Sequence, residues 1–211
     1  MNSYSVEEEA EFRGVHAVLH FTRLNGAIGI LATGYVLSRE QLPNEKRLEF
    51  IGELNATNQV REIDRRWHGY VNMSVSKVNE KFFRYSRNTH PEDSWVVFVF
   101  SPQVLSAEGV IFCTTNNVYP SCLRQRGVAG FSALFADRVL GRYQYEHYRD
   151  ATTPSEMPTD VQAEVLVPER VSVDHLIRIA VENDAALADV DGILGGLDLD
   201  IPVVVDASIF R

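Results

Sequence analysis

Cysteine is scarce in this chain, and its spacing excludes two classes of protein. The 211 residues include two cysteines, Cys113 and Cys122, which is too few for a disulfide scaffold. No CxxC or HExxH pattern accompanies them, so no metal site is indicated. Because the acidic first residues show no export signal, we expect free thiols in a reducing compartment and a cytoplasmic protein.

Long apolar runs and glycine-rich nucleotide motifs are missing as well. No segment approaches the roughly 18 apolar residues of a membrane span, so we expect no membrane partner. The patterns GxGxxG and GxxxxGK[ST] do not occur, which argues against a Rossmann or P-loop site. The composition is ordinary, with 45% hydrophobic and 23% charged residues. It is typical of one globular domain, which we assign to residues 1–211.

Basic residues are rare in the last third of the chain. The net charge is −9, and all of the excess lies in residues 151–211, where 12 acidic residues face 3 basic ones. Residues 1–150 are balanced, with 17 of each sign. Within them, residues 60–87 hold seven basic and three acidic side chains. This stretch is either a phosphate-binding surface or a solvated helix face.

Apolar periodicity predicts short strands mixed with short helices. The predicted strands cover residues 15–21, 35–38, 70–75, 94–100, 110–113, 161–167, 175–182 and 202–206. The predicted helices cover residues 27–33, 56–68, 79–85, 130–141 and 184–194, and residues 142–160 are predicted to form a long loop. Since there is no internal repeat and no regular βαβ alternation, the fold class is α+β, not a doubly wound sheet.

Two polar positions interrupt apolar strands. His20 and Thr22 lie two residues apart at the end of the first predicted strand, so both side chains face one side and are suited to ribose hydroxyls. Glu164 lies within the apolar run 161–167, where a buried carboxylate is expensive unless it is paired or functional. The alternatives are a hydrogen-bonded, partly buried histidine, and an edge strand with Glu164 facing water.

Two further groups are candidates for ligand contact. Arg61 and Arg65 share one face of the predicted helix 56–68, with Arg66 beside them, and guanidinium groups bind pyrophosphate bidentately. The alternative is ordinary surface charge. Uncharged polar residues also follow the strand 110–113, namely Thr114, Thr115, Asn116 and Asn117. They are suited to a base edge, or they simply form a turn.

Taken in order, these segments resemble a known family. The most specific are LHFTRLNGAIGILATGYVLS (19–38), FCTTNNVY (112–119), and VQAEVLV followed by LIRIAV (161–181). In this order and spacing they resemble the DarT-type DNA ADP-ribosyltransferase toxins over about residues 15–182. The resemblance implies an ADP-ribosyltransferase-like fold, in which two small, mostly antiparallel sheets surround an NAD cleft with flanking helices.

The resemblance also implies an activity. Such toxins split NAD, their substrate, and attach ADP-ribose to thymine or guanine in single-stranded DNA, and they are typically paired with a macrodomain antitoxin. The segment YVNMSVSKVNEKFF lacks the aromatic and proline-rich form of thymidine-modifying members, which tilts our expectation towards guanine. We expect a monomer when the protein is free. The alternatives are RNA or protein as the acceptor, or an inactive nucleotide-binding module.

The resemblance assigns roles to individual residues. The catalytic candidates are Glu164 and one of Arg65 and Arg66. The NAD-binding candidates are His20, Thr22, Asn25, Gly34, Leu37 and Tyr70. The DNA-binding candidates are Thr114, Thr115, Asn116 and Asn117, together with Tyr143, Tyr145 and His147 from the predicted loop 142–160, which corresponds to the substrate-recognition loop of the family.

Overall fold

The computed structural model describes residues 4–43 and 66–210. Within these ranges it contains five α-helices: α1 (Val6–Arg13), α2 (Leu24–Thr33), α3 (Glu80–Thr89), α4 (Gly127–Ala133) and α5 (Asp184–Leu197). The strands are β1 (Val18–Arg23), β2 (Tyr35–Leu37), β3 (Tyr70–Val75), β4 (Trp95–Phe100), β5 (Ile111–Cys113), β6 (Arg124–Gln125), β7 (Arg138–Leu140), β8 (Glu146–Tyr148), β9 (Glu164–Pro168), β10 (Arg170–Ser172), β11 (Leu176–Val181) and β12 (Val203–Val205). The α+β prediction is confirmed.

Eight strands follow one another in the order β12-β11-β4-β1-β3-β9-β5-β6. Their pairings are antiparallel except for the parallel pair β11–β12. Strand β1 pairs with β4 along six residues, but with β3 at Val18–Val75 and Leu19–Ser74. This short junction joins two four-stranded halves, as expected of two small sheets around a cleft. Two separate strand pairs, β2–β10 and β7–β8, lie outside this order.

The two faces of the eight strands are packed differently. One face carries the main core, which includes Val18, Phe98 and Val165 and is covered in part by α2 and α5. The opposite face carries two separate groups. The aromatic cluster contains Phe83, Trp95 and Phe210 among its members, and the cysteine cluster consists of Ile111, Cys113, Cys122 and Leu166. The row of side chains that joins these two clusters includes the polar residues Ser74 and Glu164, and both are buried.

Several elements form where local chemistry predicts them. Every residue of β4 is buried, as expected of a run that is apolar on both faces, and the strand lies between β11 and β1. Helix α2 ends at Gly34, whose φ of 74° is left-handed and whose N–H donates to the carbonyl of Ile30. Glycine adopts this conformation without steric cost, which explains why the helix stops there.

Three predicted elements differ from the structure. The helix predicted over 130–141 is replaced by α4, which ends at Ala133, and by β7. The loop predicted over 142–160 contains β8, which pairs with β7 so that Arg138 contacts Glu146 at 3.0 Å. The strand predicted over 161–167 begins at Glu164, because the carboxylate and carbonyl of Asp160 accept hydrogen bonds from the backbone N–H groups of Gln162 and Ala163 and close a turn.

None of the helices in residues 4–43 and 66–210 combines the length and apolarity needed to cross a membrane. In those ranges no group of three or more His, Cys, Asp or Glu side chains is arranged to hold a metal ion. Most of the helix predicted over 56–68, including Arg61, lies outside the described residues.

Candidate active site

Strand register places Glu164 in a row of neighbours that crosses the junction between the two halves. Leu19 pairs with Ser74, and Cys113 pairs with Glu164. Met73 pairs with Val165 at the end of the β3–β9 ladder, and Ser74 and Glu164 are the next residues of these two strands. Residues opposite one another share a face, so this row lies between the aromatic and cysteine clusters.

Glu164 itself is buried and held from two sides. Its exposed fraction is 7%, which rules out the alternative of an edge residue facing water. The side-chain amide of Asn116 donates to Oε1 at 3.1 Å, and the backbone N–H of Asn117 donates to Oε2 at 2.8 Å. Hydrogen bonds to a carboxylate are stronger than those between neutral groups. The carboxylate therefore has a defined direction at the first residue of β9.

The loop that supplies these donors is itself firmly held. The hydroxyl of Thr114 accepts a hydrogen bond from the backbone N–H of Leu123 at 3.2 Å. Arg124 donates to the carbonyls of Cys122 at 2.9 Å and Tyr119 at 3.1 Å, and also to that of Asn117. Arg124 therefore acts on the loop that carries the Glu164 donors. Arg124 lies in a two-residue strand without an apolar pattern, so the sequence did not predict this role.

His20 lies at the junction between the halves, where β1 continues with β4 beyond its last pair with β3. Its Nδ1 is 3.0 Å from the backbone oxygen of Asn72 on β3. A carbonyl oxygen can only accept, so Nδ1 carries the proton and donates. Burial lowers the pKa of His20, against the opposing effect of this hydrogen bond. The neutral ring therefore presents Nε2 as an acceptor.

Thr22 and the start of α2 lie against each other on the main-core side. A Cβ built on Gly26 would be 2.3 Å from the Thr22 hydroxyl oxygen, so the absence of a side chain at Gly26 allows this approach. Asn25, one residue earlier, is exposed on the first turn of α2. Thr22 is half-buried, and its hydroxyl and His20 belong to the same strand face, as the spacing predicts.

The other NAD-binding candidates lie on neighbouring elements. Gly34 ends α2, and its carbonyl accepts a hydrogen bond from the N–H of Val173. Leu37 is the last residue of β2 and pairs with Arg170. Tyr70 is the first residue of β3, and its ring packs edge-on against that of Trp67 at 5.9 Å. Their contact with NAD stays a prediction.

Only one of the two catalytic arginine candidates lies within the described residues. Arg65 lies outside the described residues, and Arg66 is exposed four residues before β3. The choice between them stays a prediction. Further along the basic stretch 60–87, Arg87 donates to Glu182 at 2.6 Å and to the carbonyl of Phe210 at 3.0 Å. Arg87 thus connects α3 to the last described turn of the chain.

The hairpin formed by β7 and β8 exposes aromatic rings at its tip. Tyr143 and Tyr145 are 86% and 67% exposed, and the guanidinium of Arg142 lies 4.7 Å from the Tyr143 ring centre. His147 is turned inward, with Nε2 3.5 Å from the Asp160 carboxylate. The hairpin thus presents two tyrosines to solvent, while the third candidate from this segment, His147, faces the protein.

Both cysteines are free, as predicted, and both are buried. The adjacent Cys122 thiol, together with burial and the nearby Glu164 charge, raises the pKa of Cys113 well above the usual thiol range. Cys113 therefore remains a neutral thiol beside Glu164. The cysteine cluster thus forms an apolar wall on one side of the carboxylate.

Comparisons with known proteins identify a family and a shared fold. Residues 19–211 match the family model for "DarT: ssDNA thymidine ADP-ribosyltransferase". No curated protein sequence matches the chain. The fold is similar to that of Thermus sp. 2.9 DarT in complex with NAD+, with a TM-score of 0.63 at 18% identity over 93% of this chain and 98% of that one.

Two further solved structures are similar. Thermus sp. 2.9 DarT in complex with ADP-ribosylated single-stranded DNA gives a TM-score of 0.62 at 18% identity, over 94% of this chain and 97% of that one. Thermosipho africanus DarTG in complex with ADP-ribose gives 0.58 at 12% identity, over 92% of this chain and 51% of that one. These likenesses show that the fold is shared.

Proposed function

The chain belongs to the DarT family of NAD-dependent ADP-ribosyltransferases, and from this premise we propose that it transfers ADP-ribose from NAD to a base of single-stranded DNA. Thymine is the proposed acceptor, because the family model that matches residues 19–211 describes thymidine modification. Guanine, favoured by the form of residues 70–83, is the second candidate. The observation that carries the proposal is the buried Glu164 carboxylate, held by Asn116 and Asn117 at the first residue of β9.

In this reaction the bond between nicotinamide and the ribose carbon breaks, and a bond from a ring nitrogen of the base to that carbon forms. Nicotinamide leaves with the electron pair of the broken bond. Positive charge develops on the ribose, and a fixed carboxylate stabilises it more than it stabilises bound NAD. Glu164 is the proposed carboxylate and also the proposed acceptor of the base proton. One of Arg65 and Arg66 is the proposed partner that positions the reacting groups.

We assign NAD binding to the junction where β1 continues beyond its last pair with β3. His20 offers an unprotonated Nε2 there, because its Nδ1 proton is engaged by Asn72. Ribose hydroxyls donate to such an acceptor. Thr22, on the same face of β1, adds a hydroxyl that both donates and accepts. Asn25, on the first turn of α2, is the remaining proposed contact at this end of the cleft.

DNA contact is assigned to the β7–β8 hairpin and the loop beside it. Exposed tyrosines stack on unpaired bases, at about 1–3 kcal/mol per base. Tyr143→Ala should therefore weaken binding of single-stranded DNA by about tenfold or more. The exposed Phe12 of α1 provides a control, since Phe12→Ala should leave binding unchanged. Fluorescence anisotropy with a labelled oligonucleotide measures both, and equal affinities for the two variants would contradict this assignment.

In the cell, we propose that the protein acts as a toxin and is paired with a macrodomain antitoxin. The chain covers 51% of the Thermosipho africanus DarTG chain, so that protein has room for a second unit of similar length. Expression of the wild type in bacteria should stop growth, whereas Glu164→Gln should not. Co-expression of a macrodomain hydrolase that removes ADP-ribose from DNA should restore growth to cells that carry the wild type.

The direct test combines NAD with oligonucleotides that differ in one base type. Mass spectrometry should detect added ADP-ribose on single-stranded DNA containing thymine, and none with duplex DNA or with Glu164→Gln. Modification of guanine alone would select the second candidate. Modification of RNA or protein, with none of DNA, would replace the proposed acceptor. Absence of NAD cleavage with every acceptor would indicate an inactive nucleotide-binding module.

A further inference from the structure

A second buried carboxylate lies close to Glu164 in the chain and has no part in the reaction described above. Asp160 is completely buried, four residues before Glu164 and just ahead of β9. A charged side chain in such a position is costly unless its surroundings compensate for lost water. The contacts of Asp160 therefore indicate the structural role of its carboxylate.

Asp160 joins two segments that are distant in sequence. Its Oδ2 accepts a hydrogen bond from the hydroxyl of Thr115 at 2.5 Å, across 45 residues. Its Oδ1 accepts from the backbone N–H of Gln162 at 2.9 Å, and its carbonyl accepts from that of Ala163 at 2.9 Å. One residue thus holds both the approach to β9 and the loop after β5.

The same two segments meet again at Glu164. Asn116 and Asn117 directly follow Thr115 and donate to the Glu164 carboxylate, while Glu164 directly follows the turn that Asp160 closes. Thr115, like Asp160, has no exposed surface. A shift of the Thr115 hydroxyl would therefore move the two donors of Glu164 relative to their acceptor.

The β7–β8 hairpin also packs against this carboxylate. His147 Nε2 lies 3.5 Å from Asp160 Oδ2. A Cβ built on Gly141 would be 2.5 Å from that nitrogen and 3.2 Å from that oxygen, so the backbone of Gly141 closes the remaining side. The hydroxyl of Ser121 donates to the Gly141 carbonyl at 2.6 Å, which connects the hairpin to the loop that holds Glu164.

We propose that Asp160 is a positioning residue for Glu164: through Thr115 it fixes the Asn116–Asn117 donors, and through its turn it fixes the first residue of β9. The expected effect of Asp160 on turnover rests on the proposed function. Its expected effect on hydrogen exchange of the Asn117 N–H does not. Displacement of a catalytic group by about 1 Å can cost about 100-fold in rate. We therefore expect loss of kcat for DNA modification, on that scale, with the KM for NAD unchanged.

Two variants test this, with one matched control. Asp160→Asn removes the charge at nearly constant volume, and Thr115→Val removes the hydroxyl alone, so it serves if the aspartate variant does not fold. Thr159→Val is the control, because Thr159 directly precedes Asp160 but its hydroxyl donates to the carbonyl of Ala136 at 2.6 Å. Amide hydrogen exchange followed by NMR reports the N–H of Asn117, with the amides of β4 as the reference.

Both test variants should speed exchange of the Asn117 amide by about tenfold or more, leave β4 unchanged and lower kcat. The double variant should be no worse than the more impaired single variant, since both changes act on the same contact between Thr115 and Asp160. Normal protection of Asn117, parallel loss of protection in β4, unchanged kcat, or an equal effect of Thr159→Val would each overturn the proposal. If the wild type modifies no base, the proposed function fails, and Asn117 exchange alone decides the positioning role.

Discussion

Replacing Glu164 by glutamine tests the centre of the site with the smallest change of shape. The carboxylate accepts from Asn116 Nδ2 at 3.1 Å and from the Asn117 N–H at 2.8 Å. A glutamine amide has one oxygen, so its NH₂ group must face one of these two donors. A hydrogen bond to a charged group contributes about 1.5–3 kcal/mol. The free energy of unfolding should therefore fall by about 1–3 kcal/mol, which a stable domain tolerates.

The effect on activity should be far larger than the effect on stability. The amide cannot accept the base proton and carries no charge for the ribose, and one general-base role contributes about 10²–10⁴-fold in rate. Urea denaturation gives the stability, and mass spectrometry of an NAD-treated oligonucleotide gives the rate. Glu169→Gln is the control, because Glu169 is exposed just beyond β9. A Glu164→Gln protein with at least a tenth of the wild-type rate would refute the catalytic role.

Two other predictions concern the NAD end of the cleft. Since burial lowers the pKa of His20, the unfolded chain binds a proton first below about pH 6.5, and the free energy of unfolding should decline as pH falls through the folded pKa. His20→Gln should flatten that decline in urea denaturation, whereas the exposed His16→Gln should not. Gly26→Ala would set a Cβ 2.3 Å from the Thr22 hydroxyl and should weaken NAD binding by calorimetry. Gly29→Ala, with no heavy atom within 4 Å, should keep NAD affinity and stabilise α2 by up to about 1 kcal/mol; equal NAD affinities for these two glycine variants would count against the Thr22 assignment.

Local sequence patterns accounted for much of the fold. The fully apolar run of β4 predicted a central buried strand, and the glycine at position 34 predicted the end of α2. These features depend on a few consecutive residues, so periodicity and turn chemistry are enough to locate them. The helix predicted over 130–141 was wrong for the same reason. Its second half belongs to β7, and β7 exists because β8 pairs with it.

Some features of the candidate site could likewise be predicted from the sequence, and others could not. The types and order of His20, Thr22 and Glu164 were visible as polar residues in apolar strands, and they carried the family resemblance. The contacts that orient Glu164 were not visible, because Asn116 is 48 residues away from it in the chain and Asp160 is 45 residues from Thr115. Asp160 itself belongs to a polar segment that composition assigns to a loop.

Composition alone does not determine whether a polar side chain in a strand is buried. A carboxylate in a strand is equally compatible with water and with a cleft until the neighbouring strands are known. Here β3 and β5 flank β9, and the loop after β5 covers its first residue. Side-chain burial and hydrogen-bond direction depend on which strands become neighbours. Since that choice is made by packing between segments far apart in the chain, the sequence identified the reacting groups and the folded sheet determined their geometry.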